Sequence, residues 1–337
     1  MKQFEKDYLK LNNGVLIPKI GVGTWLIDNR DVGSVVKMAL PLGYIHIDSA
    51  QAYGNEEGIG KALKEMNVER DKVFITSKVL AEIKSYKEAK DSIDESLKRL
   101  GTSYIDLMLI HCPQPWSEFG KSDYRYEKEN LEVWRALEEA YMEGKLRAIG
   151  VSNFNISDLK NIIDGSNIHP MVNQCSCYPG NTPLELIDYC KKNDIVFEAY
   201  CPNAHGRAKD FELVQKLSTK YNKSFAQICL RYSLELDIVI LPKSTSFDHL
   251  KENLELDFTI EDSDINKLKN LKIWKIIVKT KSNFLKLFYL FRRLLYNYFR
   301  KRRFLSYGRT KSCLSCFKKR KWWKRMESFH SRIKQGY

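Results

Sequence analysis

The strongest constraint on the fold is an alternation that runs from residue 20 to residue 254. Short, continuously apolar stretches, such as residues 73–77 and 105–110, alternate with longer segments whose apolar residues recur at helical spacing. A strand that is apolar on both faces is buried on both faces, which is typical of parallel sheets covered by helices. The alternation therefore predicts an α/β protein with a parallel sheet.

Eight strand–helix units can be counted. The predicted strands are residues 20–25, 44–47, 73–77, 105–110, 146–151, 172–173, 196–199 and 238–241. The predicted helices are residues 31–42, 55–66, 86–100, 127–143, 155–163, 182–193, 210–221, 224–235 and 247–254. Eight units in about 260 residues fit a closed (β/α)₈ TIM barrel. Residues 8–18, with Asn13-Gly14 at the turn, predict an N-terminal β-hairpin.

The main alternative to a barrel is an open, doubly wound sheet. A dinucleotide-binding sheet of that kind carries three glycines in register in the loop after its first strand. Here Gly21-Val22-Gly23 is followed by Thr24 and Trp25, and no third glycine falls in register. The barrel is therefore the better prediction.

Charge divides the chain into two predicted parts. The formal net charge is +14, but residues 272–337 hold 21 Lys and Arg and a single acid, Glu327. Residues 1–271 hold 35 Lys and Arg against 41 Asp and Glu, so this part is slightly acidic. We therefore predict a barrel domain at residues 1–271 and a basic C-terminal tail at residues 272–337.

The tail contains a segment with two chemically different sides. Phenylalanine, leucine and tyrosine recur at helical spacing between residues 284 and 298, and lysine and arginine fall on the opposite side. This pattern predicts a partly helical, basic amphipathic tail that binds an anionic membrane surface or docks on a partner. A poorly ordered extension is the main alternative. Nucleic-acid binding is a weaker one, based on Trp322 and Trp323 among basic residues.

Cysteine usage and hydropathy bear on location. Eight cysteines are scattered along the chain and its first residues are polar, so free thiols in a reducing cytoplasm are the simplest interpretation. No run of ~18 uncharged apolar residues predicts a membrane-spanning helix. Cys313 and Cys316 lack the second ligand pair of a zinc site, so we predict no metal. We expect a cytoplasmic protein, located at the inner face of a membrane if the tail binds lipid.

Polar residues follow the predicted strands at their carboxyl ends, where catalytic groups gather in a barrel. Asp48 follows the second strand, Lys78 the third and His111 the fourth, and Tyr53 lies in the loop after Asp48. Taken singly, each of these residue types is more often solvated or structural than catalytic. Their joint position predicts one site at the mouth of the barrel.

These four side chains suit the donation of a proton to a carbonyl group. A tyrosine hydroxyl with a pKa near ~10 is a poor acid at neutral pH, so we expect the ammonium group of Lys78 to lower the pKa of Tyr53. Asp48 would keep Lys78 charged and fixed, and His111 would orient the carbonyl oxygen. General acid catalysis contributes about 10²–10⁴-fold, and the hydride must come from a cofactor.

The same residues belong to longer motifs. These are GVGTW at 21–25, IDSAQAYGNEE at 47–57, FITSK at 74–78, IDLMLIH at 105–111, GKLRAIGVSNF at 144–154, PMVNQ at 170–174, AQICLRY at 226–232 and LPKS at 241–244. Through them, residues 8–270 resemble the aldo-keto reductase family of NAD(P)H-dependent TIM-barrel oxidoreductases. The resemblance implies NADP(H) bound at the barrel mouth without a Rossmann unit. It implies a catalytic tetrad of Asp48, Tyr53, Lys78 and His111.

The resemblance also implies residues that contact the cofactor and the substrate. Ser152, Asn153 and Gln174 match positions that hold the carboxamide of the nicotinamide, and Tyr200 matches the ring that stacks on it. The residues implied near the adenosine phosphates and the adenine are Lys243, Ser244, His249, Glu252 and Asn253. Those assigned to the substrate pocket are Trp25 and Cys112.

Two departures from the family pattern bear on specificity. His249 stands where the family usually has an arginine for the ribose 2′-phosphate, and an imidazole is a weaker anion partner than a bidentate guanidinium. NADP(H) is the expected cofactor, with NAD(H) as the alternative. Cys112 replaces the tryptophan that commonly follows the tetrad histidine, so the resemblance does not name the substrate.

The predicted function is an NAD(P)H-dependent carbonyl reductase. It would convert a small aldehyde or ketone reversibly into an alcohol, with hydride from the nicotinamide and a proton from Tyr53. The alternative is an NADP(H)-binding redox sensor or accessory subunit without turnover, tethered by its tail to a membrane or to nucleic acid. A monomer is the favoured oligomeric state.

Overall fold

The structure is a computed structural model that describes residues 8–272. It begins with an antiparallel hairpin of β1 (Tyr8–Lys10) and β2 (Leu16–Pro18). The turn depends on Gly14, whose φ of +89° lies in the left-handed region that glycine adopts without strain. The predicted N-terminal hairpin is confirmed.

Eight parallel strands follow, and their order in the sheet is their order in the chain. They are β3 (Gly21–Gly23), β4 (His46–Asp48), β5 (Phe74–Val79), β6 (Leu107–Ile110), β7 (Ile149–Ser152), β8 (Val172–Ser176), β9 (Val196–Tyr200) and β10 (Val239–Leu241). The ends of the sheet meet through a parallel bridge between Ile20 and Ile240. The amide of Ile240 also donates to the carbonyl of Lys19 at 2.8 Å. The predicted barrel is therefore confirmed.

Helices cover the outside of the strands. They are α1 (Asn29–Leu42), α2 (Glu56–Glu65), α3 (Tyr86–Leu100), α4 (Glu127–Met142), α5 (Ile156–Gly165), α6 (Leu184–Lys192), α7 (Glu212–Tyr221), α8 (Phe225–Glu235), α9 (Phe247–Glu252) and α10 (Asp262–Lys269). Short 3₁₀ helices lie at Gln51–Tyr53, Arg70–Lys72 and Ala204–Asp210. Most bounds agree with the predicted ones to within two or three residues. The strand predicted at residues 146–151 begins later, at Ile149, because Leu146 forms only an isolated bridge to Ile105.

Helix α3 illustrates how the local sequence sets these elements. Ser85 caps its N-terminus by accepting a hydrogen bond from the Glu88 amide, and Gly101 ends it with a φ of +64°. Its buried face packs against α2, where a Cβ on Gly60 would lie 2.2 Å from the carbonyl oxygen of Leu100. Only glycine at residue 60 allows the two helices to approach this closely.

The strands of the barrel carry a group of buried polar side chains, which includes His46, Asp48, Thr76, Lys78, Gln174 and Glu198. Asp48 and Lys78 lie at or next to the carboxyl ends of their strands, whereas His46 begins β4 and Glu198 lies in the middle of β9. Burying polar groups costs free energy unless they are paired, so this group of side chains marks a site. Within residues 8–272, no helix combines the length and the apolar character that a membrane span requires. The predicted tail lies outside the described residues, apart from Lys272.

Candidate active site

The loop that carries Tyr53 is held by polar residues of its own motif. Asn55 is buried and donates to the carbonyls of Thr24 and Ile27, at 3.0 Å each, while its Oδ1 accepts from the Ser49 hydroxyl at 2.7 Å. Gly54 adopts a φ of +64° and turns the chain from the 3₁₀ helix into α2. These contacts fix the loop against the end of β3, and they leave Asp48 and Tyr53 to face the barrel mouth.

Gln51 and Glu56, in the same motif, also have structural contacts. Gln51 Nε2 donates to the Ser92 carbonyl at 2.9 Å, and its Oε1 accepts from the Leu80 amide at 3.0 Å. Glu56 is buried and accepts from Ser77 Oγ at 2.5 Å. The polar residues of this motif thus divide into those that hold the loop and those that are left for chemistry.

Lys78 lies at the centre of the predicted tetrad. It belongs to β5, a strand that is buried along its whole length. Its Nζ donates to both carboxylate oxygens of Asp48, at 2.9 and 2.8 Å, and to the carbonyl of Ser49 at 2.8 Å. The hydroxyl of Tyr53 lies 3.4 Å from the same nitrogen. The structure therefore brings Asp48, Lys78 and Tyr53 together, although the chain separates Lys78 from Asp48 by 30 residues.

The sequence-based expectation about the pKa of Tyr53 is wrong for this site. Burial of the phenol, and then the negative charge of Asp48, raise the pKa of Tyr53 well above its usual value. Lys78 does not reverse this shift, because its ammonium group is bound directly to the Asp48 carboxylate. Tyr53 is therefore protonated at neutral and moderately alkaline pH, which is the form that a proton donor needs.

His111 completes the predicted tetrad. Its ring packs edge-on against that of Tyr53, with the centroids 5.6 Å apart. Burial, and then the charge of Lys78, hold the pKa of His111 well below its usual value. A neutral imidazole has one N–H and one acceptor nitrogen, so it can donate to a carbonyl oxygen without adding charge. Its Nδ1 is buried without a hydrogen-bond partner among the described residues.

The predicted nicotinamide-binding residues form a hydrogen-bonded group beside the tetrad. Asn153 Nδ2 donates to the His111 carbonyl at 2.9 Å, and Asn153 Oδ1 accepts from the Tyr200 hydroxyl at 2.8 Å. Ser152 Oγ donates to the Gln174 carbonyl at 2.8 Å. Asn153 adopts a φ of +63°, a conformation that asparagine tolerates better than most residues. The group therefore adjoins His111 directly.

This group fits a nicotinamide by the chemistry of its side chains. The side-chain oxygens of Asn153 and Gln174 can accept hydrogen bonds from the NH₂ group of a carboxamide, and the half-buried ring of Tyr200 offers a flat face. No group of three or more His, Cys, Asp or Glu side chains within residues 8–272 is placed to hold a metal ion.

The residues predicted near the phosphates and the adenine follow β10. This strand neighbours β3, and the Gly23 amide donates to the Pro242 carbonyl at 2.9 Å. Ser244 Oγ accepts from the Ser246 amide at 3.0 Å and shapes this loop. Lys243 and His249 are exposed to solvent, and Glu252 is half-buried. Ser244 and Asn253 are buried. Lys243 and His249 are thus open to an anionic ligand.

The residues predicted for the substrate pocket differ in exposure. Trp25 is exposed, and its ring lies 5.4 Å from that of His205. Cys112 is fully buried, so its thiol does not reach the surface that a substrate would approach. Trp116, which the sequence analysis missed, packs edge-on against His111 at 5.1 Å and is exposed. Its position in the sequence, five residues after His111, could have identified Trp116 as a residue near the site.

Two further buried groups were also missed. Gln174 Nε2 donates to Asp48 Oδ2 at 2.8 Å and to Glu198 Oε2 at 2.6 Å, so Glu198 joins the network below the tetrad. His46 Nε2 lies 3.9 Å from Glu198 Oε1. This approach is not an ion pair, because burial lowers the pKa of His46 to about 3. An acid inside an otherwise apolar strand was the signal that could have revealed Glu198.

Comparison with known proteins agrees with this geometry. Residues 19–273 match the model of the "Aldo/keto reductase family". The chain is 41% identical to glyoxal reductase from Bacillus subtilis (strain 168) over 268 residues, which cover 79% of this chain and 93% of the relative. It is 34% identical to methylglyoxal reductase DkgA from Escherichia coli (strain K12) over 266 residues, covering 78% and 92%.

The chain is also similar to solved structures of aldo-keto reductases. An aldo/keto reductase from Brucella melitensis is 37% identical, with a TM-score of 0.73, and the match covers 79% of this chain and 99% of that one. An aldo-keto reductase from Bombyx mori, solved in complex with NADP, is 30% identical with a TM-score of 0.70, covering 78% and 92%.

Proposed function

Because the chain belongs to the aldo-keto reductase family, we propose that it is an NADPH-dependent reductase of small aldehydes or ketones, with Tyr53 as the proton donor. One observation carries this proposal. The Tyr53 hydroxyl lies 3.4 Å from Lys78 Nζ, and Lys78 is in turn held by both oxygens of Asp48. A protonated phenol beside a fixed ammonium group is suited to deliver a proton and to tolerate the charge left behind.

Each tetrad residue has a distinct role in this proposal. His111 donates to the carbonyl oxygen and orients the substrate, since its neutral ring packs against Tyr53. Tyr53 transfers its proton to that oxygen, and the ammonium group of Lys78 stabilises the resulting phenolate. Asp48 holds Lys78 in position. NADPH, when bound, supplies the hydride to the carbonyl carbon, so the products are an alcohol and NADP⁺.

The cofactor proposal rests on side-chain chemistry and on relatives. Ser152, Asn153 and Gln174 would bind the carboxamide, and Tyr200 would stack on the nicotinamide ring. Lys243 leaves one exposed cation near the expected 2′-phosphate, which supports NADP(H) over NAD(H). The complex of the Bombyx mori relative with NADP agrees with this choice.

The substrate class proposed is small, reactive aldehydes, including α-oxoaldehydes. Two relatives carry the names glyoxal reductase and methylglyoxal reductase. The exposed ring of Trp116 packs against His111, and Trp25, the other residue considered for the pocket, is also exposed. Such rings offer an apolar surface that accepts small carbonyl compounds without specific polar contacts.

A carbonyl panel tests this function. Oxidation of NADPH is followed by the loss of its near-ultraviolet absorbance over time. The substrates are glyoxal, methylglyoxal, an aliphatic aldehyde and a ketone. We expect turnover with the aldehydes and more slowly with the ketone. Tight binding of NADPH without turnover on any substrate would favour the redox sensor or accessory subunit instead.

We also propose a partner for the tail from its sequence alone. Residues 272–337 carry 21 basic residues and one acid, with an aromatic and leucine-rich stretch at helical spacing. An anionic membrane surface attracts such a segment electrostatically and accepts its apolar side chains at the interface.

A further inference from the structure

Glu198 is a buried acid with no part in the proposed proton transfer. It lies in the middle of β9, where its neighbours across the sheet are Gln174 on β8 and Val239 on β10. The side chain is fully buried. Burying an ionised carboxylate is costly unless a cation pairs with it, so the state of this group depends on what surrounds it.

A single amide joins Glu198 to the catalytic network. Gln174 Nε2 lies 2.6 Å from Glu198 Oε2 and 2.8 Å from Asp48 Oδ2. An amide nitrogen has two hydrogens, and this geometry uses one for each carboxyl group. The orientation of the Gln174 side chain is therefore set jointly by Asp48 and Glu198.

The groups that face Glu198 do not supply a cation for it. The lysine on β5, Lys78, donates to both oxygens of Asp48. The charged or titratable groups on β4 are Asp48 and His46, and burial keeps His46 neutral. The neighbour on β8 is a neutral amide and that on β10 is apolar. Glu198 Oε1 has no hydrogen-bond partner among the described residues.

These surroundings favour the uncharged form of Glu198. Two carboxyl groups share one ammonium group, and that ammonium group is already bound to Asp48. Burial, and then the charge of Asp48, raise the pKa of Glu198 to about 8. The group is thus neutral at pH 7 and ionised at alkaline pH.

We propose that Glu198 is a positioning residue: in its neutral form it holds the amide of Gln174 for the nicotinamide, and its ionisation disrupts that hold. This inference rests on the proposed function, in which Gln174 binds the carboxamide. An ionised Glu198 attracts the Gln174 NH₂ group more strongly and repels Asp48, so the amide is drawn away from its position at pH 7. Affinity for NADPH should therefore fall as pH rises through the ionisation of Glu198.

The test is the dissociation constant of NADPH, measured by quenching of tryptophan fluorescence from pH 7 to pH 10. If only the neutral form is competent, a single group with a pKa of about 8 weakens binding by about tenfold between pH 7 and pH 9. Glu198→Gln keeps a neutral hydrogen-bonding group at all pH values, so its affinity should not change over this range. Glu198→Ala lacks that group and should bind NADPH more weakly than Glu198→Gln at pH 7.

Lys84 provides a matched control, because burial lowers its pKa to about 8 as well. Its Nζ donates to the Cys112 carbonyl at 3.1 Å and to Asn130 Oδ1 at 2.9 Å, away from Gln174. Lys84→Arg stays charged at all these pH values and should keep the wild-type loss of affinity. If Lys84→Arg removes that loss, the titrating group is Lys84 and the inference is refuted.

The remaining outcomes are also decisive. The inference is refuted if wild-type affinity is constant from pH 7 to pH 10, or if Glu198→Gln loses affinity at high pH as the wild type does. Either result leaves the proposed function intact, provided that NADPH binds and is oxidised at pH 7. Failure of the wild type to bind NADPH at pH 7 would instead refute the proposed function, and this inference with it. If Glu198→Ala does not fold, the inference is still tested by comparing the pH dependence of NADPH affinity between Glu198→Gln and the wild type.

Discussion

Lys78 donates to both carboxylate oxygens of Asp48, at 2.9 and 2.8 Å, and both side chains are buried. This pairing sets the electrostatics of the site. Because the ammonium group is bound to the carboxylate, it does not act on Tyr53 as an isolated positive charge. Burial therefore dominates and the pKa of Tyr53 rises, which keeps the phenol in the protonated form that its proposed role as proton donor requires.

The role of Tyr53 leads to the first prediction. Tyr53→Phe removes the proposed proton donor and should lower kcat for carbonyl reduction by about 10²–10⁴-fold. The dissociation constant of NADPH should change by less than about threefold, because other residues are proposed to hold the cofactor. Tyr141→Phe, near Asn13 rather than the tetrad, is the matched control. Near-wild-type turnover by Tyr53→Phe would remove Tyr53 from the mechanism.

The second prediction concerns the buried ion pair itself. Lys78→Met or Asp48→Leu leaves one buried charge without its partner and should lower the free energy of unfolding by about 3–5 kcal/mol. The double variant removes both charges and should cost clearly less than the sum of the two single variants. Urea denaturation measures all three. Additive costs would mean that the two charges are not energetically coupled, whereas loss of carbonyl reduction is expected in every case.

The third prediction concerns the choice between NADPH and NADH. His249 is exposed on α9, and a guanidinium there can bind a phosphate with two hydrogen bonds. His249→Arg should raise the preference for NADPH over NADH by roughly tenfold, or ~1.4 kcal/mol. Lys251→Arg, exposed on the same helix, should leave the preference unchanged. A wild-type protein that binds NADH as well as NADPH would contradict the cofactor proposal.

The fourth prediction is a dependence of stability on pH. The pKa of Glu198 is raised from 4.5 to about 8 in the folded protein, so between these values the folded state holds a proton that the unfolded state has lost. The contribution of Glu198 to stability is complete below pH 4.5 and is lost as pH rises to about 8.

Glu198→Gln should remove the part of the pH dependence of stability that comes from Glu198, because glutamine does not titrate. The difference in unfolding free energy between Glu198→Gln and wild type should shift in favour of the variant by about 1.4 kcal/mol per pH unit in that window. Other titrating groups, including His46, are present in both proteins and largely cancel in the difference. Urea denaturation at pH 5, 6, 7 and 8 provides the measurement, and a difference that stays constant would show that Glu198 is ionised throughout.

The fifth prediction concerns the tail, which lies outside the described residues. Each Lys or Arg near an anionic bilayer contributes about 1 kcal/mol, so the full chain should float with vesicles that contain phosphatidylserine and be released by high salt. A chain truncated after Lys272 should remain unbound and keep its reductase activity. Binding of the full chain to duplex or single-stranded nucleic acid, without binding to vesicles, would contradict the membrane proposal.

Much of the fold could be predicted from residue patterns. Period and length distinguish strands that are buried on both faces from amphipathic helices, and eight such units left few alternatives to a barrel. The grouping of the four predicted tetrad residues was also predictable, because each lies at the carboxyl end of a strand or within a few residues of it. Its assembly needs only the rule that parallel strands bring their carboxyl ends to one edge.

Only the tertiary structure revealed the hydrogen-bonded network that joins the tetrad to Gln174 and Glu198. Gln174 meets Asp48 across 126 residues of chain and Glu198 across 24. No local pattern specifies those contacts, since they depend on which side chains of closed, tilted strands point inward at the same height. The direction of the Tyr53 pKa shift was decided in the same way. A sequence places charges near one another along the chain, but burial and pairing, which determine how strongly each charge acts, exist only once the strands have closed around them.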